Sequence, residues 1–183
     1  MPRRDQSVLA LLSQALALVE RARAMLEPED LPGDHLSPHF TLSEFIASDT
    51  AAMQGIDNTP DAAALDQLEM TANLMELVRA ICSSNPVLIS SGYRCAALNS
   101  AVGGASNSAH LYGCAVDFTV PAYGSVLEVC QAIEPFLAEW GVDQLIYENE
   151  SWVHIGRAIP PSTAPRCECL TINSSGTFNG IVA

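Results

Sequence analysis

Two short segments of the chain alternate between apolar side chains and side chains that can ionise or bind a metal. In AVDFTV, Val116 and Phe118 share one side of the segment and Asp117 falls on the other. In WVHIG, His154 likewise lies between two apolar neighbours. Alternation with a period of two is typical of β-strands that bury one face. The pattern therefore predicts a sheet that packs one face on a core and presents Asp117 and His154 on the other.

Helical patterns surround these strands. Apolar residues at helical spacing predict a long helix over residues 61–81 and a second helix over residues 125–140. A capping-box sequence at residues 41–44 predicts a short helix, and PVLIS predicts a buried strand at residues 87–90. We therefore expect an α+β fold with a small antiparallel sheet flanked by helices.

The segment that carries His154 also carries acidic residues. DQLIYENESWVHIG predicts two strands joined by a tight turn at residues 149–151. If this turn centres on Glu150, Glu148 lies across from Trp152 and on the face of His154. A carboxylate on that face could take a proton from an attacking water molecule and deliver it to a leaving amine.

The remaining segments divide the chain into three parts. The first helical pattern has a wide apolar face, and the EPEDLPGDHLSPHF that follows it has the composition of a linker. We predict an N-terminal amphipathic helix and linker at residues 1–39, a main domain at residues 40–157, and a Pro-rich tail at residues 158–183 that forms at most a loose hairpin. The apolar face of the helix needs a cover, either the main domain or another copy of the chain.

The composition of the chain limits the kinds of molecule that it can bind. The chain has 8 basic and 21 acidic side chains, a formal charge of −13, which argues against nucleic acid because phosphate binding depends on Lys and Arg. No apolar run reaches the roughly 20 residues that span a bilayer. A signal peptide is not favoured, since Asp5 lies in the would-be basic region. The six cysteines are expected to be free thiols, because a chain of 183 residues can form a core without disulfides.

A metal site is one interpretation of the polar face of the sheet. A catalytic zinc takes about three protein ligands and keeps one position open. His110 and Asp117, both in SAHLYGCAVDF, could supply two ligands, and His154 a third. Alternatively, SAHLYGCAVDF is a polar loop followed by a buried strand and holds no metal. Cys114 has the strand parity of Val116, so we interpret it as a buried thiol and not as a ligand.

Three stretches, in this order, resemble the M15 family of zinc peptidases, in particular the branch like the D-alanyl-D-alanine carboxypeptidases of bacteria and phages. They are FTLSEFIASDTAAMQGIDNTP, SSGYRCAALNSAVGGASNSAHLYGCAVDF and DQLIYENESWVHIG, and they lie between Phe40 and Arg157. The combination of SGYR, SxHxxGxAxD and WVH is highly specific. The resemblance implies a fold like that of hedgehog proteins and D-Ala-D-Ala peptidases.

The resemblance also implies roles for individual residues. Its zinc ligands correspond to His110, Asp117 and His154. Arg94 of SGYR would bind or polarise the substrate near the scissile bond, and Ser108 would line the site. Trp152, on the predicted face of His154, is a further candidate for contact with the substrate.

The resemblance offers more than one position for the general base. Several M15 peptidases have an acidic residue three positions before the last histidine ligand, where this chain has Ser151. In the branch that this chain most resembles, the acid lies six positions before that histidine, which is the position of Glu148. Glu150 remains the alternative.

The implied function is zinc-dependent hydrolysis of an amide bond in the stem or cross-link peptides of peptidoglycan, by a carboxypeptidase or an endopeptidase. The resemblance further implies a phage or prophage origin, either as a free endolysin or as a virion-associated murein hydrolase. Such a protein would reside in the virion or the host cytoplasm and act on the cell wall from the periplasm. The alternative is a non-catalytic, zinc-stabilised binding or structural component of a phage particle. The N-terminal helix and the C-terminal tail would then contact other copies of the chain or phage structural proteins.

Overall fold

The computed structural model describes residues 33–162 and 164–182, and the predicted N-terminal helix lies outside them. The strands are β1 (His35–Ser37), β2 (Phe40–Thr41), β3 (Leu88–Ser91), β4 (Ala115–Thr119), β5 (Val142–Glu148), β6 (Trp152–Arg157), β7 (Glu168–Asn173) and β8 (Gly176–Asn179). The α-helices are α1 (Leu42–Ile46), α2 (Asp49–Gln54), α3 (Ala62–Ile81), α4 (Ala96–Ala101), α5 (Val126–Ile133) and α6 (Leu137–Trp140). Short 3-10 helices span Ala109–Tyr112 and Glu134–Phe136. The predicted α+β class is confirmed.

Six strands form one sheet in the order β3-β4-β6-β5-β7-β8, and β1 and β2 form a separate hairpin. The pairings within the large sheet are antiparallel except that of β5 with β7, which is parallel. The sheet is therefore mixed and larger than the small antiparallel sheet expected from the sequence.

One face of the sheet carries the hydrophobic core, as strand alternation predicted. Val116 and Phe118 of β4 and Ile155 of β6 are fully buried in one cluster with residues of α3 and α5, such as Met75 and Ile133. The other face, with Asp117 and His154, is therefore left for the cleft described below.

The longest helix, α3, begins and ends where the sequence indicated. Asp61 caps α3 by accepting a hydrogen bond from the amide of Ala64 at 2.8 Å. The helix predicted over residues 125–140 is interrupted by the 3-10 helix that contains Pro135, and it ends at Gly141 in the left-handed conformation. Proline explains the interruption, because it cannot donate the backbone hydrogen bond of a helix interior.

The strand predicted at residues 87–90 is shifted by one residue and lies at an edge of the sheet. Within it, Leu88 is 54% exposed, whereas the preceding Val87 is buried. An edge strand has a single strand neighbour, and its outer side is less covered than that of a central strand. The apolar composition of PVLIS therefore did not reveal that this strand lies at the edge of the sheet.

Two segments that we interpreted as irregular are part of the folded unit, which begins at Asp34. In the linker, β1 places Leu36 in the core, and the Ser37 hydroxyl donates a hydrogen bond to Glu76 at 2.8 Å. In the tail, β7 extends the main sheet beside β5, so residues 168–179 are more than a loose hairpin.

All six cysteines are free, and Cys114 is fully buried, as predicted. Within the described residues, no helix has the length and apolar character needed to cross a membrane.

Candidate active site

His110, Asp117 and His154 meet in the structure, and their potential ligand atoms all lie within 4.8 Å of one another. Asp117 of β4 pairs directly with His154 of β6, so both side chains project from the same face of adjacent strands. His110 comes from the 3-10 helix Ala109–Tyr112, just before β4. All three side chains are buried.

Gly113 makes the sharp return from this 3-10 helix into β4. Its φ is +70°, a conformation that L side chains rarely adopt, and an added Cβ would lie 2.6 Å from the carbonyl oxygen of Ala64. The glycine of SxHxxGxAxD is therefore required by the close approach of the loop to α3, which sets the position of His110.

The tautomer of His110 is fixed by a backbone carbonyl. His110 Nδ1 lies 2.6 Å from the oxygen of Gly92, which can only accept a hydrogen bond, so Nδ1 carries the proton. Burial lowers the pKa of His110 and favours the neutral ring, in spite of the hydrogen bond and charge of Asp117. The Nε2 lone pair consequently points at the Asp117 and His154 side chains.

This donor set fits a divalent cation such as zinc. His110 Nε2 lies 3.2 Å from Asp117 Oδ1 and 3.3 Å from His154 Nδ1, while His154 Nδ1 lies 2.7 Å from the same Asp117 oxygen. His110 Nε2, Asp117 Oδ1 and His154 Nδ1 thus converge on one point. At most one proton lies among these three atoms, between His154 Nδ1 and Asp117 Oδ1. Ligands of a tetrahedral zinc lie about 3.3–3.6 Å apart, close to the two distances from His110 Nε2, whereas the shorter contact between His154 and Asp117 is a hydrogen bond that a bound ion would replace. Two imidazoles with one carboxylate form a common catalytic donor set.

Arg94 holds the second oxygen of Asp117. Its Nη2 donates to Asp117 Oδ2 at 2.5 Å, and its Nε donates to the Ser91 hydroxyl at 2.8 Å. Burial alone would raise the pKa of Asp117, but its close contacts with the ring nitrogens of His110 and His154 outweigh this and lower it. Asp117 is therefore an ionised carboxylate with a fixed orientation.

Glu148 and Trp152 occupy the positions expected from the sequence. They are directly opposite each other on β5 and β6, and both line the same cleft as His154. Burial and the negative charge of Asp117 raise the pKa of Glu148, and the nearby His154, Trp152 and Arg94 only partly counter this. Among the described residues, the buried indole nitrogen of Trp152 has no hydrogen-bond partner.

Glu150 is placed differently. It lies in the turn between the two strands with a φ of +56°, is exposed and does not line the cleft. Ser108, in contrast, lines the cleft, and its side chain makes no capping hydrogen bond to the 3-10 helix that follows it.

Sequence reasoning missed the residues that support these side chains. Asn58 donates hydrogen bonds to the carbonyls of Ile46 and Tyr93, both at 2.9 Å, and accepts one from the amide of Cys95 at 2.8 Å. It thereby anchors the backbone on both sides of Arg94. In the sequence, GIDNTP indicated only a turn, because the partners of Asn58 lie up to 37 residues away.

Gly92 is the second missed support, and it yields a stability prediction. An added Cβ would collide with the backbone oxygen of Phe45 and lie 2.9 Å from its Cα, and this backbone cannot move as a flexible side chain could. We expect Gly92→Ala to destabilise the fold by about 2 kcal/mol, the range of overpacked sites. Thermal or denaturant unfolding measures this. Gly33→Ala is the matched control, since nothing lies within 4 Å of its added Cβ; equal stability of the two variants would contradict the prediction.

The site opens into a cleft with a volume of about 890 Å³. A buried His-Asp-His cluster with a carboxylate at the wall of an open cleft is typical of metal-dependent hydrolases. A family model described as Peptidase M15 matches residues 38–156, more than half of the chain. The chain therefore belongs to the M15 family of metallopeptidases, as its motifs indicated. A search of curated proteins finds no match. Its branch within the family stays a prediction.

Proposed function

We propose that this protein is a zinc-dependent peptidase that hydrolyses an amide bond in the stem or cross-link peptides of peptidoglycan. The observation that carries the proposal is the convergence of His110, Asp117 and His154 in a cleft that also contains Glu148. Membership of the M15 family supports peptide hydrolysis. The choice of peptidoglycan, and a phage or prophage origin, rest on the motif resemblance alone.

His110, Asp117 and His154 would hold the zinc, which when bound supplies Lewis-acid activation of water and of the scissile carbonyl. His110 contributes Nε2, because its Nδ1 is engaged by the Gly92 carbonyl. His154 contributes Nδ1, the atom nearest to Asp117. The hydrogen bond from Arg94 keeps one Asp117 oxygen occupied and the other free to act as a ligand.

Glu148 is proposed as the general base. Its carboxylate would accept the proton of the attacking water and later donate it to the leaving amine. A pKa raised by burial and by Asp117 suits this double task, because a carboxylate with a higher pKa is a stronger base towards water and stays protonated until the leaving amine takes the proton. Ser108 and Trp152 would contact the substrate beside it.

Arg94 is proposed to act mainly by positioning Asp117, with its remaining N–H groups available to the substrate carbonyl. A lysine has a single ammonium group and cannot bond Ser91 and Asp117 with the same fixed geometry. Arg94→Lys should therefore keep the fold and lower turnover by about 10-fold or more. Peptide hydrolysis and thermal unfolding of the same preparation test this. Arg79→Lys on α3 is the matched control, and equal activity of the two variants would assign Arg94 a dispensable structural role.

Digestion of purified peptidoglycan with mass spectrometry of the products tests the proposed function. We expect new amino termini and smaller muropeptides, and their masses identify the bond that is cut. A chelator should prevent the reaction. If the protein binds zinc but releases no product from peptidoglycan or from any peptide, the alternative of a non-catalytic binding protein replaces the proposal.

A further inference from the structure

The cleft extends far to both sides of the three potential metal ligands. Asp117 and His154 lie on the neighbouring strands β4 and β6, with β3 on one flank and β5 and β7 on the other. Lining residues come from both flanks, including Ser91 on β3 and Ile172 on β7. Neighbouring strands are about 4.8 Å apart, so the four steps from β3 to β7 span about 19 Å.

The flank beside β7 is built by the C-terminal part of the chain. Gln144, Ile146 and Glu148 alternate along β5 and all line the cleft, and Ile172 pairs with Glu148 and so faces the same side. Ile159 adds a third apolar side chain to this wall. Residues 158–172 lie beyond the end of the family match at residue 156, so Ile159 and Ile172 extend this wall outside the matched region.

Ion pairs hold this wall in place. Arg166 donates to Asp143 through its backbone amide, Nε and Nη2 at 2.9, 2.9 and 2.6 Å, and its Nη1 donates to Glu168 at 3.0 Å. Gln144 of β5 donates to the same Glu168 oxygen at 2.6 Å. The segment before β7 is therefore tied to β5 at several points.

The cationic side chains that line the cleft all donate hydrogen bonds to groups of the protein itself. The chain has no lysine, and three arginines line the cleft within the described residues. Arg94 bonds Asp117, Arg166 bonds Asp143, and Arg157 donates to the carbonyl of Gln67 on α3 at 3.3 Å. An enzyme that removes a terminal residue needs a group that recognises the terminal carboxylate, and a free cation is the strongest such group. Each of these three arginines thus already donates to a protein group, and none offers its whole guanidinium group to a terminal carboxylate.

We infer that the substrate lies across the cleft as an extended peptide with residues on both sides of the scissile bond, so that the enzyme is an endopeptidase. This inference rests on the proposed peptidase function. An extended chain covers about 3.3 Å per residue, so about 19 Å accommodates roughly six residues, whereas a terminal dipeptide covers only about 7 Å. The wall at Ile146, Ile159 and Ile172 contacts a short aliphatic side chain of the peptide on one side of that bond.

Matched peptides distinguish the two modes of cleavage. The probes are a synthetic stem pentapeptide with a free C-terminal carboxylate, the same pentapeptide with a C-terminal amide, and cross-linked muropeptide dimers. We expect amidation to change kcat/KM by less than about 3-fold, and the dimer to be cut with a kcat/KM at least about 10-fold higher than that of the pentapeptide. If the amidated pentapeptide is hardly cut and the free pentapeptide releases only its terminal residue, the inference is overturned and the peptidase function stays intact. Hydrolysis of none of the three would contradict the proposed function itself.

Variants of the wall test the role of residues 158–172. Ile172→Ala should raise KM for the dimer about 5-fold or more, because it removes apolar contact with the bound peptide. Phe178→Ala on β8 is the matched control, since Phe178 is 43% exposed and does not line the cleft. Ile159→Ala, which lies outside the strands, is the second wall variant should Ile172→Ala unfold. Calorimetric binding of the dimer in a Glu148→Gln background provides a readout without turnover. Equal affinities for the wall and control variants would overturn the assignment of this wall.

Discussion

Replacement of Glu148 by glutamine should lower peptide turnover by about 100-fold or more, the range for the loss of a general base, while zinc content stays near that of the unmodified protein. Glutamine preserves the size of the side chain and its place opposite Trp152 on β6. It cannot accept a proton at neutral pH. The structural part of the site should therefore persist while proton transfer is lost. Hydrolysis rates and elemental analysis of one preparation separate the two effects.

Glu150→Gln is the matched control, because Glu150 differs from Glu148 by two positions and lies exposed in the turn. We expect its activity to stay within about 2-fold of the unmodified enzyme, as is usual for surface substitutions. If instead Glu150→Gln is inactive and Glu148→Gln is active, the base is Glu150 and the turn rearranges when substrate binds.

Replacement of His110 by alanine should remove both zinc and activity. It deletes one of three potential ligands and leaves Asp117 and His154 as an incomplete donor set, whereas a catalytic zinc needs about three protein ligands. We expect zinc content well below one per chain, with hydrolysis at the level of the buffer. Elemental analysis after dialysis against a weak chelator measures the first, and peptide hydrolysis the second.

His39→Ala provides the comparison for His110→Ala. His39 is a half-exposed histidine whose Nδ1 lies 2.9 Å from Glu76, and it does not line the cleft. The His39→Ala variant should retain zinc and turnover. Its melting temperature should fall slightly, because the contact of His39 with α3 is lost. Full zinc content in His110→Ala would show that the ligand assignment is wrong.

The part of the site that sequence predicted best depends on strand alternation. The period of two placed Asp117 and His154 opposite to the core, and the turn centred on Glu150 placed Glu148 across from Trp152, and both placements are confirmed. These relations are local or involve a single hairpin, so few alternatives compete with them. The catalytic and ligand roles of the same side chains stay predictions.

Long-range pairings were beyond the reach of the sequence pattern. The parallel pairing of β7 with β5 joins residues that are 24 positions apart, and the hydrogen bonds of Arg166 to Asp143 that precede it have no local signature. Similarly, the Gly92 carbonyl that fixes the tautomer of His110 belongs to the backbone, so no residue type announces it. The C-terminal wall of the cleft was missed for the same reason.

The proposed activity requires one zinc ion held by His110, Asp117 and His154. Zinc titration of chelator-treated, metal-free enzyme, followed by peptide hydrolysis, tests this requirement in one measurement. We predict negligible hydrolysis without metal and a linear rise in rate that ends at one zinc per chain. Full hydrolysis by the metal-free protein, with no change on addition of zinc, would contradict a zinc-dependent mechanism.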